Sequence, residues 1–315
     1  MNDQPLVSVV IPAYNYGRYL GATLQSILAQ SYRNLEVIVV NDGSTDNTLE
    51  VVEKFAGDER LKCHTQKNQG AIIATNNGIE LAKGKFIASC GSDDLWTVDH
   101  VKVLMDAFRR HPDAGLVFDN AQYFHEGREN DNLKLTVPAR VSRGLNDRVV
   151  SVRQTFVRNW ITGITFLVRR EVLDHVGLID PELHMVGDLH LLYRIAAYRP
   201  VYFVDHVGAK IRVHEGNMTV LEPHYKYGVR SLEHLRDHYP DVCQNIGWGA
   251  FAKKLGRKYY RLARHYERIG DLESAKITYK KAFSTRKTRP RYYWGYFRVC
   301  FRSLKGLSAK KNQPV

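Results

Sequence analysis

Two adjacent carboxylates, Asp93 and Asp94, are the side chains of this sequence best suited to hold a divalent cation. In mid-strand, neighbouring side chains point to opposite faces. This pair follows the strand-like run Lys85 to Cys90 and the turn residues Gly91-Ser92, so both can face one cleft. Carboxylates that close repel, and a divalent ion shared with a diphosphate relieves the repulsion. The doublet reads equally as a solvated turn or a cap for a helix around Val98 to Phe108. Asp42 can accept the imide N–H of a uracil on which Tyr14 stacks, or it is the turn residue of Asn41-Asp42-Gly43-Ser44. Asp188 stands at the head of an amphipathic stretch with Leu191, Leu192 and Ile195, where an acidic residue favours the helix dipole. If exposed, it keeps a pKa of about 3.9 and is ionised at neutral pH. Arg212-Val213-His214 offers a cation for a diphosphate, and an imidazole that ligates metal or is structural.

These residues need a scaffold that gathers them. Val7 to Ile11 and Leu35 to Val40 are continuous apolar, β-branched runs suited to strands covered on both faces. Helical spacing joins Leu20, Leu24, Ile27 and Leu28, then Leu49, Val52 and Phe55, and a third helix spans Ile72 to Leu81. Short strands are expected at Cys63–Thr65, Leu116–Phe118, Ile164–Val168 and Val201–Val204. Alternation of strand and helix predicts a mostly parallel sheet with right-handed crossovers, whose ligands bind beyond the carboxyl ends of the strands. Three polar segments fall at those ends: Ala13-Tyr14-Asn15, Asn41-Asp42 and Ser92-Asp93-Asp94. His125 to Leu145 is polar and rich in breakers, and predicts an exposed loop.

Beyond about Pro223 the chain turns helical and basic. Of 46 Lys and Arg residues 19 fall from Asp241 onward, against only 4 of 33 Asp and Glu, so the formal charge of +13 belongs to the last quarter. Tyr259, Leu262, Ala263 and Tyr266, then Ala275, Tyr279 and Ala282, give one tetratricopeptide-like hairpin turning at Gly270-Asp271. Two domains follow, 1–222 and a basic helical extension 223–315. Aromatics alternate with arginines from Arg291 on, and residues 291–311 are expected to meet an anionic membrane surface. The bland alternative is a solvated face whose aromatics pack inward. The four scattered cysteines, with no apolar run of membrane-spanning length and no leader pattern, fit a cytoplasmic protein, peripheral at most on the inner face of the membrane. Dinucleotide, P-loop, nucleophile-elbow and zincin motifs are missing.

The run Val7-Ser8-Val9-Val10-Ile11-Pro12-Ala13-Tyr14-Asn15, then Val39-Val40-Asn41-Asp42-Gly43-Ser44-Thr45-Asp46, Asn68-Gln69-Gly70 and Gly91-Ser92-Asp93-Asp94-Leu95-Trp96 resemble the family 2 glycosyltransferases of SpsA-like, inverting type. The likeness continues through Val168 to Leu173 and Gly187-Asp188 as far as His214. It implies the GT-A (Rossmann-like) α/β fold, with a C-terminal helical extension left over. It implies a nucleotide site of Pro12, Ala13, Tyr14, Asn15, Asp42, Asn68 and Asp93, with Asp94 and His214 at a Mg²⁺ or Mn²⁺ ion. Asp188 matches the general base. The reaction implied moves a sugar from a nucleotide-diphosphate donor, UDP-linked, to a glycan or lipid-linked hydroxyl acceptor in bacterial surface polysaccharide synthesis, with no nucleic acid as partner. Asn41 stands where many members carry a first aspartate, so the nucleotide site leans on Asp42. Gly91 stands where many carry an aspartate two residues before Asp93, so metal ligation rests on Asp94 with fewer carboxylates. Rival readings are a nucleotidyltransferase that makes the sugar nucleotide, and a non-catalytic module binding through the basic tail.

Overall fold

The computed structural model describes residues 4–126, 134–216, 225–286 and 289–311. It divides into two compact units, Met1–Met218 and Thr219–Val315. The boundary expected at 222/223 lies outside the described residues.

The first unit is an α/β fold on a nine-stranded sheet ordered β3-β2-β1-β4-β8-β6-β9-β5, with β7 paired to β9. Its strands are β1 (Val7–Ala13), β2 (Leu35–Asn41), β3 (Leu61–Thr65), β4 (Phe86–Ser89), β5 (Leu95–Trp96), β6 (Leu116–His125), β7 (Arg148–Val149), β8 (Phe166–Arg169) and β9 (Val201–Val213). β1 pairs in parallel with both β2 and β4, β2 with β3, and β6 with β9, so most paired residues lie in parallel ladders. β8 and the two-residue strands β5 and β7 run antiparallel.

Alternation along β1 explains the layering. Val7, Val9 and Ile11 join Leu20, Leu24 and Ile27 of α1 (Gly17–Leu28), with α2 (Thr48–Glu53) and Val101, Leu104 and Phe108 of α4 (His100–Arg110), in one core. Val10 faces the other side, toward Ala74 and Ile79 of α3 (Ala71–Leu81). That second core also takes residues of α6 (Val152–Arg158), α7 (Arg170–Val176) and α8 (Gly187–Tyr198) or packs against them. The ends of β1, β2 and β4 therefore open on one edge, where the loops Tyr14–Tyr16, Asp42–Asn47 and Cys90–Asp94 emerge.

Two expectations are corrected. The stretch His125–Leu145 is not all loop: Ala139–Leu145 forms α5, and Val137 and Ser142 are buried. Its polar composition hid a helix whose core contribution is small; residues 127–133 lie outside the described part. β6 and β9 also run well past Phe118 and Val204, because their outer halves pair through polar residues that break the apolar pattern.

The second unit is helical: α9 (Tyr225–His238), α10 (Pro240–Ile246), α11 (Trp248–Arg268), α12 (Leu272–Thr285) and α13 (Pro290–Lys311). α11 and α12 form a hairpin through Ile269-Gly270-Asp271, with Gly270 at φ +85 and Asp271 capping Ser274. Ala263, Ala275, Tyr279 and Val299 form its buried cluster.

Candidate active site

The site grows from the parallel edge. Ala13, at the end of β1, lies opposite Asn41 at the end of β2. Asn15 takes a left-handed φ of +55 and latches the two loops together: its Oδ1 accepts from Thr45 N at 2.7 Å, and its N–H donates to Ser44 Oγ at 3.0 Å. Pro12 is partly buried, Ala13 buried, and Tyr14 is left 44% exposed on the rim, where a planar ligand can reach its ring.

Asp42 is 2% exposed. Gln66 Nε2 and Gln69 N–H donate to its Oδ1 at 2.8 and 2.9 Å, and Gly70 N–H to its Oδ2 at 2.8 Å. Three of roughly four acceptor positions are thus taken by the protein. The carboxylate's visible work is to hold the loop that carries Asn68, whose side chain is exposed, and that starts α3. Gly43 permits this approach, since a Cβ there would lie 2.9 Å from Asn68 N and its φ is +74.

Asp93 and Asp94 follow β4 in a turn closed by Asp94 N–H to Gly91 O. Thr23 of α1 ties the turn down, donating to the carbonyls of Ser92 and Asp94 at 3.1 and 2.8 Å. Arg212 clamps it from β9: its N–H donates to Asp94 Oδ1 at 3.0 Å and its Nε–H to Asp93 O at 2.9 Å. The guanidinium rests over Tyr19 and Phe124. His214 Nε2 lies 3.0 Å from Asp93 Oδ2, and its ring packs 4.8 Å from that of Tyr19. His214 therefore approaches the doublet through Asp93 rather than Asp94. Burial and its proximity to Asp93 push the Asp94 carboxyl well above the usual range, against the pull of Arg212. Burial likewise lifts Tyr16 to about 12, with Asp93 adding to the shift. A cavity of about 510 Å³ adjoins, lined by Asn15, Tyr16, Tyr19 and His214 among others.

Among the described residues no group of three or more His, Cys, Asp or Glu side chains is arranged to hold a cation. The doublet nevertheless fits one. A Cβ on Gly91 would lie 2.8 Å from Asp93 Oδ1 and 2.9 Å from Asp94 Oδ2, so two carboxyl oxygens converge on one point. Mg²⁺ is commonly held by one or two carboxylates together with substrate phosphates.

Asp188 occupies the first turn of α8. It is partly buried rather than exposed, and loss of water raises its pKa despite a 2.7 Å bond from Leu189 N–H. Sequence alone sees the helix start but not what covers it. α3 carries the coupling to the rest of the site. Gly187 sits against Ile72, where a Cβ would meet Ile72 Cδ1 at 3.1 Å. Asn76 bonds both the N–H and the carbonyl of Ile179. The loop held by Asp42 and the turn before Asp188 thus share one helix.

The profile of Glycosyl transferase family 2 matches residues 8–177, over half of the chain. The chain belongs to this family. An uncharacterized glycosyltransferase from Nostoc sp. is 26% identical to this transferase over 270 residues, 83% of each chain. Among solved structures this chain is similar to S. aureus TarS 1-349 in complex with UDP-GlcNAc, with a TM-score of 0.65 and 18% identity over 93% of this chain and 79% of that one. It is also similar to a Pyrobaculum calidifontis mannosyltransferase in complex with GDP-Man and Mn²⁺, at TM-score 0.56 and 18% identity over 97% and 88% of the two chains. These likenesses show the GT-A fold. Sequence reasoning missed Thr23, Tyr19 and Gln66 as parts of this transferase's site. Thr23 alone left a signal, a polar residue on the apolar stripe of Leu20, Leu24 and Ile27.

Proposed function

We propose that this glycosyltransferase transfers a sugar, with inversion, from a UDP-sugar to a hydroxyl of a glycan or lipid-linked acceptor in bacterial surface polysaccharide synthesis. The observation that carries the reading is the convergence of Asp93 and Asp94 on one point at the edge where Tyr14 is exposed. Tyr14 stacks on the base, while Pro12, Ala13, Asn15 and Asn68 shape its pocket and Asp42 fixes that pocket's floor. Asp93 and Asp94 hold Mg²⁺ or Mn²⁺, with His214 orienting Asp93. A cation held there would supply positive charge to offset that of the diphosphate. Arg212 steadies the turn and adds positive charge beside it.

Asp188 takes the proton of the acceptor hydroxyl as that oxygen bonds to the anomeric carbon and the carbon–oxygen bond to the diphosphate breaks. A raised pKa makes a carboxylate a stronger base than an exposed Asp, provided it is ionised. TarS and the mannosyltransferase, bound to nucleotide sugars, support the donor class.

One assay tests the reading: nucleoside diphosphate release from a panel of nucleotide sugars, with acceptor and metal. Asp188→Asn, folded by circular dichroism, should keep donor affinity and lose transfer by about 10²- to 10⁴-fold. Near wild-type transfer would remove Asp188 from its role, and transfer unchanged in EDTA would remove the cation.

A further inference from the structure

The described part of α13 carries three stripes. Tyr292, Gly295 and Val299 are buried, the Tyr292 ring 5.2 Å from that of Tyr260 and Gly295 pressed against Tyr279. At the same i, i+3, i+7 spacing on the opposite side, Trp294, Phe297 and Phe301 are 74%, 52% and 66% exposed. Arg291, Arg298 and Arg302 run between, and the helix contains no acidic residue.

The arginine stripe continues onto a second helix. Arg261, Arg264 and Arg268 of α11 join Arg298 and Arg302 around a cleft of about 730 Å³, with Tyr225 at its border. Among the described residues Glu267 is the one carboxylate in its wall. It accepts from Arg298 Nε and Nη2 at 2.8 and 2.7 Å and from Arg302 Nη1 at 3.3 Å, which fixes those two guanidiniums in place. Arg261 and Arg264 are exposed and make no hydrogen bond or ion pair among the described residues. Clustered like charges with so little compensation cost free energy until an anion arrives.

What covers such a face must satisfy exposed aromatics and uncompensated guanidiniums at once. A second copy of this chain would suit the aromatics but bring more positive charge, and a nucleic acid would suit the arginines but leave a continuous aromatic stripe less well served. An anionic bilayer meets both demands, since Trp and Phe settle at the headgroup boundary while arginines reach lipid phosphates. No described helix is long and apolar enough to cross a membrane, so contact through these residues is interfacial. We infer that this face of the C-terminal unit docks on an anionic bilayer through Trp294, Phe297 and Phe301, with the α11 and α13 arginines on lipid phosphates. The inference stands apart from the chemistry assigned to Asp188.

Flotation of the full chain with phosphatidylcholine vesicles, with and without phosphatidylglycerol, tests it. The wild type should float only with the anionic vesicles. Trp294→Ala/Phe297→Ala and Arg261→Ala/Arg264→Ala should each weaken binding about tenfold or more. Both variants change exposed side chains, and unaltered circular dichroism and UDP-sugar affinity would show them folded. Wild type that stays unbound, or either variant floating like wild type, overturns the proposal. So does self-association abolished by the aromatic variant without vesicle binding, or arginine-dependent capture of RNA alone.

Discussion

A catalytic base needs a pKa close enough to the working pH to attract a proton yet far enough below it to be empty. Burial moves Asp188 up from the ordinary Asp range, and burial with Asp93 nearby moves Asp94 up as well. In the proposed mechanism Asp188 acts as a carboxylate on the acceptor's proton, so activity should be present above its raised pKa and lost as pH falls through it. The acidic limb of kcat/KM, at saturating metal, should therefore lie above the value of about 3.9 expected for an exposed Asp. A flat profile down to that pH, with the protein still folded by circular dichroism, would show that the titration of Asp188 does not control the reaction. Residue types in order were enough to nominate Asp42, Asp93, Asp94, Asp188 and His214. Their environments were not legible. That Asp42 spends its oxygens on Gln66, Gln69 and Gly70, and that His214 meets Asp93 rather than Asp94, follows from loops closing over distances in sequence that no local pattern encodes.

At the scale of elements, legibility tracked apolar continuity. β1 and β2 are sandwiched between helices and advertise it, whereas β9 crosses from core to polar rim and looked like a four-residue strand. The crossing has a built irregularity: opposite β6, register moves from Asn120↔Val207 to Ala121↔Ala209, leaving Gly208 between. Gly208 is buried against a polar knot in which His100 Nδ1 and His206 Nδ1 lie 2.9 and 3.0 Å from the fully buried Asp119 Oδ2. A Cβ at Gly208 would fall 1.8 Å from that oxygen and 2.1 Å from His100 Nδ1. Gly208→Ala must push β9 away or break the knot, and overpacking of this kind costs about 1–3 kcal/mol. Because Arg212 and His214 leave the same strand to grip the Asp93-Asp94 turn, the loss should extend to donor binding. Urea unfolding together with UDP-sugar titration checks both, and a variant unchanged in both would mean that β9 absorbs the methyl without moving the site.

Over the whole molecule, charge is partitioned: all the excess of basic residues lies from Asp241 onward, and the unit holding the proposed chemistry is close to neutral. Screening should therefore act on the two units unequally. The Debye length falls from about 10 Å at 0.1 M salt to about 3 Å at 1 M. Exposed guanidiniums such as Arg261 and Arg264 lose most of their reach toward an anionic surface over that range. Asp93, Asp94 and Arg212 are mostly buried and separated by hydrogen-bond distances, so their interactions persist. Raising KCl from 0.1 to 1 M (about a threefold shorter screening length) should release the chain from phosphatidylglycerol vesicles. Nucleoside diphosphate release measured on a soluble acceptor should change much less. Parallel loss of both would mean that the basic unit contributes directly to catalysis. Retention on vesicles at 1 M would mean that Trp294, Phe297 and Phe301 hold the surface without help from the arginines.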